Sequence, residues 1–389
     1  MRSALEDVLA LKDLSFEQTF AEQAGSRYFN TAGGGQVPPA LSEAIARLSA
    51  AYDRAGAMSR AAQDATSTAL SSAREALAAC LNAEADDIAL TDSATSALQG
   101  IAAALCLRPG ATIVIGEDEH PSLEIPFLAL ARHGARIVRV DPSLSPEAQA
   151  TPNSIAIAAL SHTSYRTGRN LHADWPSYLR QRETLLVVDA TQTIGLAPVS
   201  VRALDCVVLV GNGHKWLHGP LGTGFIWAGA AAMQRLRPGG GWRSIADPLN
   251  HHTRHRDARA FEGGTLNFPA IAGLAAATHW QCNAAFRNRL TEARRVRAEA
   301  IVTPLRQEDV SLAHENAGLV YVSAAPGRRF DAHSVAEAIW RTGAFDVKAF
   351  SPAERPRGAL RISTSPFNTI ANCEHLGTQL AEALRVAMA

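Results

Sequence analysis

A chain of 389 residues, 47% hydrophobic and 19% charged, can bury a large core and is expected to form two domains. Lys and Arg total 37 against 37 Asp and Glu, and a net charge of zero argues against nucleic acid or a membrane surface as main partner. Five scattered cysteines (Cys80, Cys106, Cys206, Cys282, Cys373), with no CxxC spacing, argue against a disulfide framework or a zinc site. No apolar run approaches the ~18 residues of a membrane span, and Glu6 and Asp7 stand where a signal peptide would be basic. A cytoplasmic protein is therefore expected.

Residues 1–30 read as one or two short helices. Tyr28-Phe29-Asn30-Thr31-Ala32-Gly33-Gly34-Gly35 is a glycine-rich loop closed by Pro38-Pro39. It serves either a surface turn or close backbone approach to a ligand. Residues 40–82 carry Ala, Leu and charge at helical spacing. Ile88 to Thr91 is a short strand, Asp92-Ser93-Ala94-Thr95-Ser96 a polar turn and Ala97 to Leu107 an apolar helix. Such a turn is a ready anion site, with the hydroxyls of Ser93, Thr95 and Ser96 as further donors, or a plain N-cap.

Strand and helix then alternate. Strands are expected at Thr112 to Gly116, Arg136 to Val140, Ser154 to Leu160, Thr184 to Val188, Cys206 to Gly211 and Gly224 to Ala228. Helices are expected at Pro121 to His133 and Trp175 to Gln181. The strands are short, β-branched and apolar on both faces, the pattern of a mostly parallel sheet covered by helices. Residues 229–262 look irregular. Pro238-Gly239-Gly240-Gly241-Trp242-Arg243 and the basic stretch His251 to Arg259 suggest a mobile loop near an active site or a subunit contact. The histidines His251, His252 and His255 lack a completing acid or cysteine, so no metal is expected. A helix from Pro269 to about Phe286 and a long polar helix from about 287 follow. Then come a strand (Ala317 to Ser323), a helix (Ala332 to Arg341), a strand (Leu360 to Ser363) and a closing helix (Asn372 to Ala387).

In a parallel sheet, ligands bind at the carboxyl ends of the strands. The chemically capable residues converge there: Thr95, His120, His162 and Tyr165, Asp189 and Gln192, then His214 and Lys215. Asp189 ends the apolar run Leu185 to Val188, and Lys215 follows the next run. A pyridoxal phosphate (PLP) enzyme needs this pair: an acid to hold the pyridinium nitrogen and a lysine to reach the aldehyde as a Schiff base.

Asp189-Ala190-Thr191-Gln192 followed by Gly213-His214-Lys215-Trp216-Leu217-His218-Gly219-Pro220-Leu221-Gly222-Thr223-Gly224 resembles the class V aminotransferase superfamily. That group of fold-type-I PLP enzymes includes cysteine desulfurases, isopenicillin-N epimerase-like proteins, C–S lyases and kynureninases. The likeness runs from about Tyr28 to the C-terminus. It implies an α/β fold with a mostly parallel seven-stranded sheet flanked by helices, and a smaller α+β C-terminal domain. The expected divisions are 1–40, an N-terminal segment packing on the small domain; 41–286, the PLP-binding domain; and 287–389, the small domain.

The resemblance also implies roles. Lys215 carries the cofactor and is the base at Cα. Asp189 holds the ring nitrogen protonated, Gln192 bonds the ring 3′-oxygen and His120 stacks on the ring. Ala94, Thr95 and His214 take the phosphate, joined by Thr265 from a neighbouring subunit, so a homodimer with a shared active site is expected. Arg361 grips the substrate α-carboxylate, as a planar guanidinium can, and Phe367-Asn368-Thr369 resembles the family's Tyr-Asn-Thr. Asn30 and Ala32 match a substrate-side segment.

Two departures narrow the activity. A cysteine desulfurase needs a nucleophilic cysteine shortly before the arginine strand, and Val347 to Gly358 contains none. Tyr165 replaces an asparagine of the family's Ser-His-Val-Ser-Asn-x-x-Gly loop; Tyr-Arg-Thr-Gly resembles the kynureninase version, whereas His-Lys-Trp is closer to the epimerase-like and C–S lyase branches. The leading expectation is a lyase that cleaves a Cβ–X bond, most plausibly C–S, of an amino acid by α,β-elimination. Alternatives are an epimerase or aminotransferase, a kynureninase-like hydrolase, and a catalytically silent regulator of the same fold.

Overall fold

A computed structural model describes residues 1–389 except 21–24, 205–207, 248, 315 and 389. The helices are α1 (Arg2–Ala10), α2 (Phe16–Phe20), α3 (Pro39–Ala55), α4 (Arg60–Leu81), α5 (Ala94–Ala103), α6 (Pro121–Ala129) and α7 (Asp174–Arg180). They continue with α8 (Val201–Leu204), α9 (Ala230–Arg235), α10 (Phe268–Cys282), α11 (Ala284–Leu305), α12 (Ala332–Gly343) and α13 (Ile370–Met388). The strands are β1 (Ile88–Thr91), β2 (Thr112–Gly116), β3 (Arg136–Val140), β4 (Ile157–Ser161), β5 (Leu185–Asp189), β6 (Val208–Asn212), β7 (Gly224–Ala228), β8 (Val310–Ala313), β9 (Leu319–Ala324), β10 (Lys348–Ala349) and β11 (Ala359–Ser363).

Two compact units result: Met1–Asp13, Ala40–Tyr165 and Arg169–Cys282 form the first, and Leu14–Pro39, Arg166–Gly168 and Asn283–Ala389 the second. The first 40 residues thus divide between them. Residues 1–13 go with the large unit because Trp280 of α10 donates its indole N–H to the Leu11 carbonyl at 2.9 Å.

The first unit holds a seven-stranded sheet in the order β1-β7-β6-β5-β4-β2-β3. β3, β2, β4, β5 and β6 run parallel; β7 is antiparallel to both β6 and β1. Alternation places Leu186 and Val188 of β5 in one apolar cluster, with Trp175, Leu77 and Leu274, and Leu185 and Val187 in another, with Leu98, Leu123 and Phe127. Each such fully buried side chain contributes about 1.5–3 kcal/mol. With apolar matter on both faces, the functional groups are left to the strand ends.

The second unit is a four-stranded antiparallel sheet, β10-β11-β9-β8, with α11, α12 and α13. Its core joins Phe29, Ile301, Val320, Ile339, Leu360, Ile362 and Leu380. β8 and the two-residue β10 were not apparent in the sequence, because β8 is only partly buried.

Local capping corrects several expectations. The helical stretch 40–82 is two helices, parted at Gly56 with its φ of +79° and restarted by Ser59, whose hydroxyl accepts from the Ala62 amide at 3.2 Å. The helix expected to reach Phe286 stops at Cys282, and Asn283 caps α11 by accepting from the Phe286 amide at 3.1 Å. Residues 229–262 contain α9 and short 3-10 turns. Their end is anchored: buried Glu262 accepts from the Leu90 amide at 3.0 Å and from Arg74 at 2.6 Å. The expected strand start at Cys206 lies outside the described residues.

Candidate active site

In the first unit, the carboxyl ends of the parallel strands gather most of the expected site residues. Ser161 of β4, Asp189 of β5 and Val210 of β6 lie side by side in register. Asp189 is 6% exposed, and its carboxylate accepts from the Thr191 amide at 2.8 Å. Behind it, the Asp189 carbonyl accepts from the His162 amide at 2.9 Å. The imidazole of His162 meets the Thr193 hydroxyl at 2.9 Å, and burial lowers its pKa, favouring the neutral ring.

The turn after β5 meets the turn after β6. Gln192 Oε1 accepts from the indole of Trp216, beside Lys215, at 3.1 Å. Gly195 makes this approach possible: at φ +84° a Cβ would stand 2.5 Å from the Trp216 carbonyl carbon. His218 closes the same turn, 1% exposed and in the left-handed region at φ +59°, its amide donating to the Lys215 carbonyl at 3.1 Å. Lys215 and His214 are partly buried. Burial, then the neighbouring Lys215 charge, lowers the pKa of His214, opposed by its bond to the Thr223 backbone.

The turn after β1 belongs to the same cluster. The Ala94 amide at the start of α5 donates to Asn212 Oδ1 at the end of β6, at 2.7 Å. Gly224 permits this contact, since a Cβ there would lie 2.6 Å from the Ser93 carbonyl carbon. Thr95 shares a hydroxyl–hydroxyl bond of 2.8 Å with Ser122 of α6. Of the three hydroxyls expected as anion donors, those of Ser93 and Ser96 instead donate to Asp92. His120 caps α6, its Nδ1 accepting from the Ser122 amide at 3.1 Å. Tyr165 stands edge-on to the His120 ring, centroids 4.8 Å apart, and is 7% exposed. Thr265 is exposed on the segment leading into α10.

The second unit brings Asn30 and Arg361 together across 331 residues, the Arg361 Nη2 donating to Asn30 Oδ1 at 3.1 Å. Arg361 is 5% exposed in the middle of β11. The Ala32 amide donates to the Ser363 hydroxyl at 2.9 Å. Asn368 holds the same segment in place, its amide donating to the carbonyls of Ser26 at 2.9 Å and Tyr28 at 3.1 Å. The Tyr28 hydroxyl donates to the Gly34 carbonyl at 2.8 Å. Burial, then Asp346, raises its pKa against the lowering effect of Arg361.

Sequence reasoning passed over Asn212, Ser122 and Glu119. Asn212 and Glu119 had one usable signal, a polar residue at or just past the end of an apolar strand.

The class V aminotransferase family model matches residues 27–376. The chain belongs to that family. Over 336 residues it is 26% identical to a probable cysteine desulfurase of Methanothermobacter thermautotrophicus, an alignment covering 80% of this chain and 83% of that protein. It is 33% identical to a cysteine desulfurase of Escherichia coli over 185 residues, 45% of each chain, so it matches less than half the length of that relative. The fold is shared with the cystine C–S lyase C-DES in complex with its product cysteine persulfide, at TM-score 0.80 and 23% identity over 93% of this chain and 99% of that one. It is shared equally with the Escherichia coli cysteine desulfurase CsdA, at TM-score 0.80 and 23% identity over 95% and 98%.

The protein is thus an enzyme, with pyridoxal phosphate as its cofactor. The strand ends fit that group. A buried carboxylate, an amine and the amino end of α5 share one cluster. Two buried polar atoms in it, His214 Nδ1 and Thr191 Oγ1, have no hydrogen-bond partner among the described residues, as is expected of atoms that serve a ligand. Among the described residues, no helix is long and apolar enough to cross a membrane.

Proposed function

We propose that the enzyme is a lyase that cleaves the Cβ–S bond of an S-substituted cysteine by α,β-elimination. One observation carries this choice over sulfur transfer through a protein persulfide, the reaction suggested by the names of its relatives. Residues 347–358 contain no cysteine, and Cys373, beyond Arg361, is fully buried on α13 with its thiol pKa pushed up to about 12 by burial. A thiol held protonated in the core is a poor nucleophile.

The residues divide the task as follows. Asp189 would pair with the pyridinium nitrogen and Gln192 with the ring oxygen, and His120 would face the ring. The turn at Ala94 and Thr95, with His214, would take the phosphate, and Thr265 would reach it from the second subunit of a homodimer. Arg361, oriented by Asn30, holds the substrate carboxylate, while Ala32 and Tyr165 border the substrate. The cofactor, when bound, withdraws electrons from Cα. Lys215 would hold the cofactor, and its amine would take the Cα proton as general base. Loss of that proton supplies the electron pair that forms the Cα–Cβ double bond while the Cβ–S pair leaves with sulfur, which is protonated to a thiol. Water then converts the released enamine to pyruvate and ammonium, with no oxidant or reductant required.

Incubation of the PLP-loaded protein with S-substituted cysteines and cystine, assayed for pyruvate, tests the reading. Stoichiometric pyruvate and thiol (or persulfide from cystine) are expected. Alanine from cysteine would instead mean desulfuration. Keto acid formed only with an amino acceptor would mean transamination, and Cα–deuterium exchange without net product epimerisation.

A further inference from the structure

A carboxyl group sealed in a protein interior is costly unless its oxygens are bonded or it keeps its proton. Glu119, on the loop after β2, is 2% exposed. Both of its oxygens are spent on one residue: Oε1 accepts from the Ser161 amide at 2.9 Å, and Oε2 meets the Ser161 hydroxyl. Ser161 ends β4, and its Cα is the register partner of Asp189. The space is made by a glycine, since a Cβ on Gly116 would stand 2.4 Å from Glu119 Oε1 and 2.9 Å from the Pro142 ring. The next residue along the chain is His120, whose ring is already fixed on its far side by the Ser122 amide and by Tyr165.

We propose that Glu119 is a positioning residue that ties the His120 loop to the strand end carrying Asp189, and so sets the ring-facing imidazole against the nitrogen-facing carboxylate. This rests on the assignment of the strand ends to pyridoxal phosphate. The bracket has the geometry for it. Two bonds to one residue fix an orientation as well as a distance, and the anchor is β4, buried within the sheet, rather than a loop. The next residue on β4's side, His162, is bonded back to the Asp189 carbonyl, so the tie runs from Glu119 through Ser161 and His162 to Asp189.

The charges around the group add a second property. The charges that act on it are Asp189 of β5 and Asp118 of its own loop; His120 follows it in the chain, and the imidazole of His162 next to Ser161 is held towards neutrality. Burial above all raises the Glu119 pKa to about 7; the two Ser161 bonds oppose this, while Asp189 and Asp118 add to it. Near neutrality Glu119 therefore keeps its proton much of the time and adds little negative charge to the strand end.

The test titrates purified apoprotein with pyridoxal phosphate and records the visible circular dichroism of the bound cofactor between pH 6 and 9. Wild type is compared with Glu119→Gln, Glu119→Ala and Ser161→Ala, and thermal melts of each apo form report folding. Glu119→Gln keeps the size of the bracket and an acceptor for the Ser161 amide, so its affinity is expected within about threefold of wild type, whereas Glu119→Ala weakens binding about tenfold or more and reduces the dichroic band. Ser161→Ala should fall between them. In wild type the band changes in a step near neutrality, and Glu119→Gln abolishes that step.

A folded Glu119→Ala protein with wild-type affinity and dichroism would overturn the proposal. So would a folded Glu119→Gln protein as impaired as Glu119→Ala, because the carboxyl would then act chemically. If Glu119→Ala does not fold, unchanged affinity in Ser161→Ala together with an unchanged pH step in Glu119→Gln overturns it equally. Wild-type protein that binds no pyridoxal phosphate would defeat the cofactor assignment itself, a result distinct from variants that match a cofactor-binding wild type.

Discussion

Replacement of Arg361 by lysine gives the sharpest test of the carboxylate clamp. Arg361 sits in the middle strand pairing of the second unit, with Tyr321 and Lys348 as its register partners, and Asn30 Oδ1 accepts from its Nη2 at 3.1 Å. That bond sets the plane of the guanidinium, and a planar fork can offer a carboxylate two parallel N–H groups. Lysine keeps the charge but not the fork. The loss is about one charge-assisted hydrogen bond, roughly 1.5–3 kcal/mol, which corresponds to a rise in KM of about ten- to 150-fold.

The assay is pyruvate release from an S-substituted cysteine, run beside binding of the decarboxylated amine, which has no carboxylate to grip. Arg361→Lys should weaken the amino acid and leave the amine's affinity within about twofold, because binding lost through one contact is lost only by ligands that make it. Affinity for pyridoxal phosphate should be unchanged. Equal weakening of both ligands, or a KM for the amino acid within about twofold of wild type, would refute the clamp and return Arg361 to a structural role.

Other substitutions test the first unit and the thiol argument. Lys215→Ala should abolish pyruvate release and the visible absorption band of the bound cofactor; persistent turnover would mean that another group carries it. Gly195→Ala, forced to place a Cβ 2.5 Å from the Trp216 backbone at φ +84°, should cost at least about 2 kcal/mol in denaturant unfolding and weaken cofactor binding, since the Gln192–Trp216 contact moves with it. Cys373→Ala should leave pyruvate release within about twofold, because a buried thiol with a raised pKa does not react; loss of activity without loss of folding would revive sulfur transfer. The apoprotein's stability should fall as pH rises from about 4.5 to about 7, because Glu119 keeps its proton in the folded state after the unfolded chain has released it. The full effect is about 3 kcal/mol, and Glu119→Gln should remove that slope from urea midpoints across the range.

The sheet was legible because most of its strands, buried on both faces, are apolar throughout. The runs 88–91, 112–116 and 224–228 coincide with observed strands of that kind, and 136–140 coincides with the edge strand, whose Arg136 and Arg139 are exposed. Elements with one wet face were harder: β8 is half-exposed and carries little pattern, and the break between α3 and α4 depends on a positive φ at Gly56 that composition alone does not announce. The same division holds for the site. Asp189, His214 and Lys215 are unusual where they stand, polar groups at the mouths of apolar strands, and so are visible in the sequence. The partnership of Asn30 with Arg361 spans 331 residues and depends on strand pairing that no local pattern encodes. Glu119 was hidden for a further reason. An acid beside a loop histidine looks like solvated surface, and only the bond to Ser161, 42 residues away, makes it an interior group.

The two sources of information bear on different questions about the chemistry. The groups assigned above to the cofactor hang on the sheet. Ser161, Asp189 and Val210 are fixed by hydrogen-bonded register at strand spacing, Ala94 is tied to Asn212, and little of this can change without disturbing a core packed on both faces. The groups proposed to choose among reactions of such a cofactor stand on connections: Tyr165 beyond β4, Asn30 and Ala32 in the glycine-rich turn, and the cysteine-free stretch at 347–358. Connections exchange residues at little cost to stability. A sulfur atom displaced from Cβ must end on something, either a thiolate of the protein or a proton. With Cys373 buried and its thiol pKa raised, and no cysteine in the stretch at 347–358, the elimination proposed above hands the sulfur to a proton, and that proposal rests on the placement of one residue type rather than on any change in the sheet.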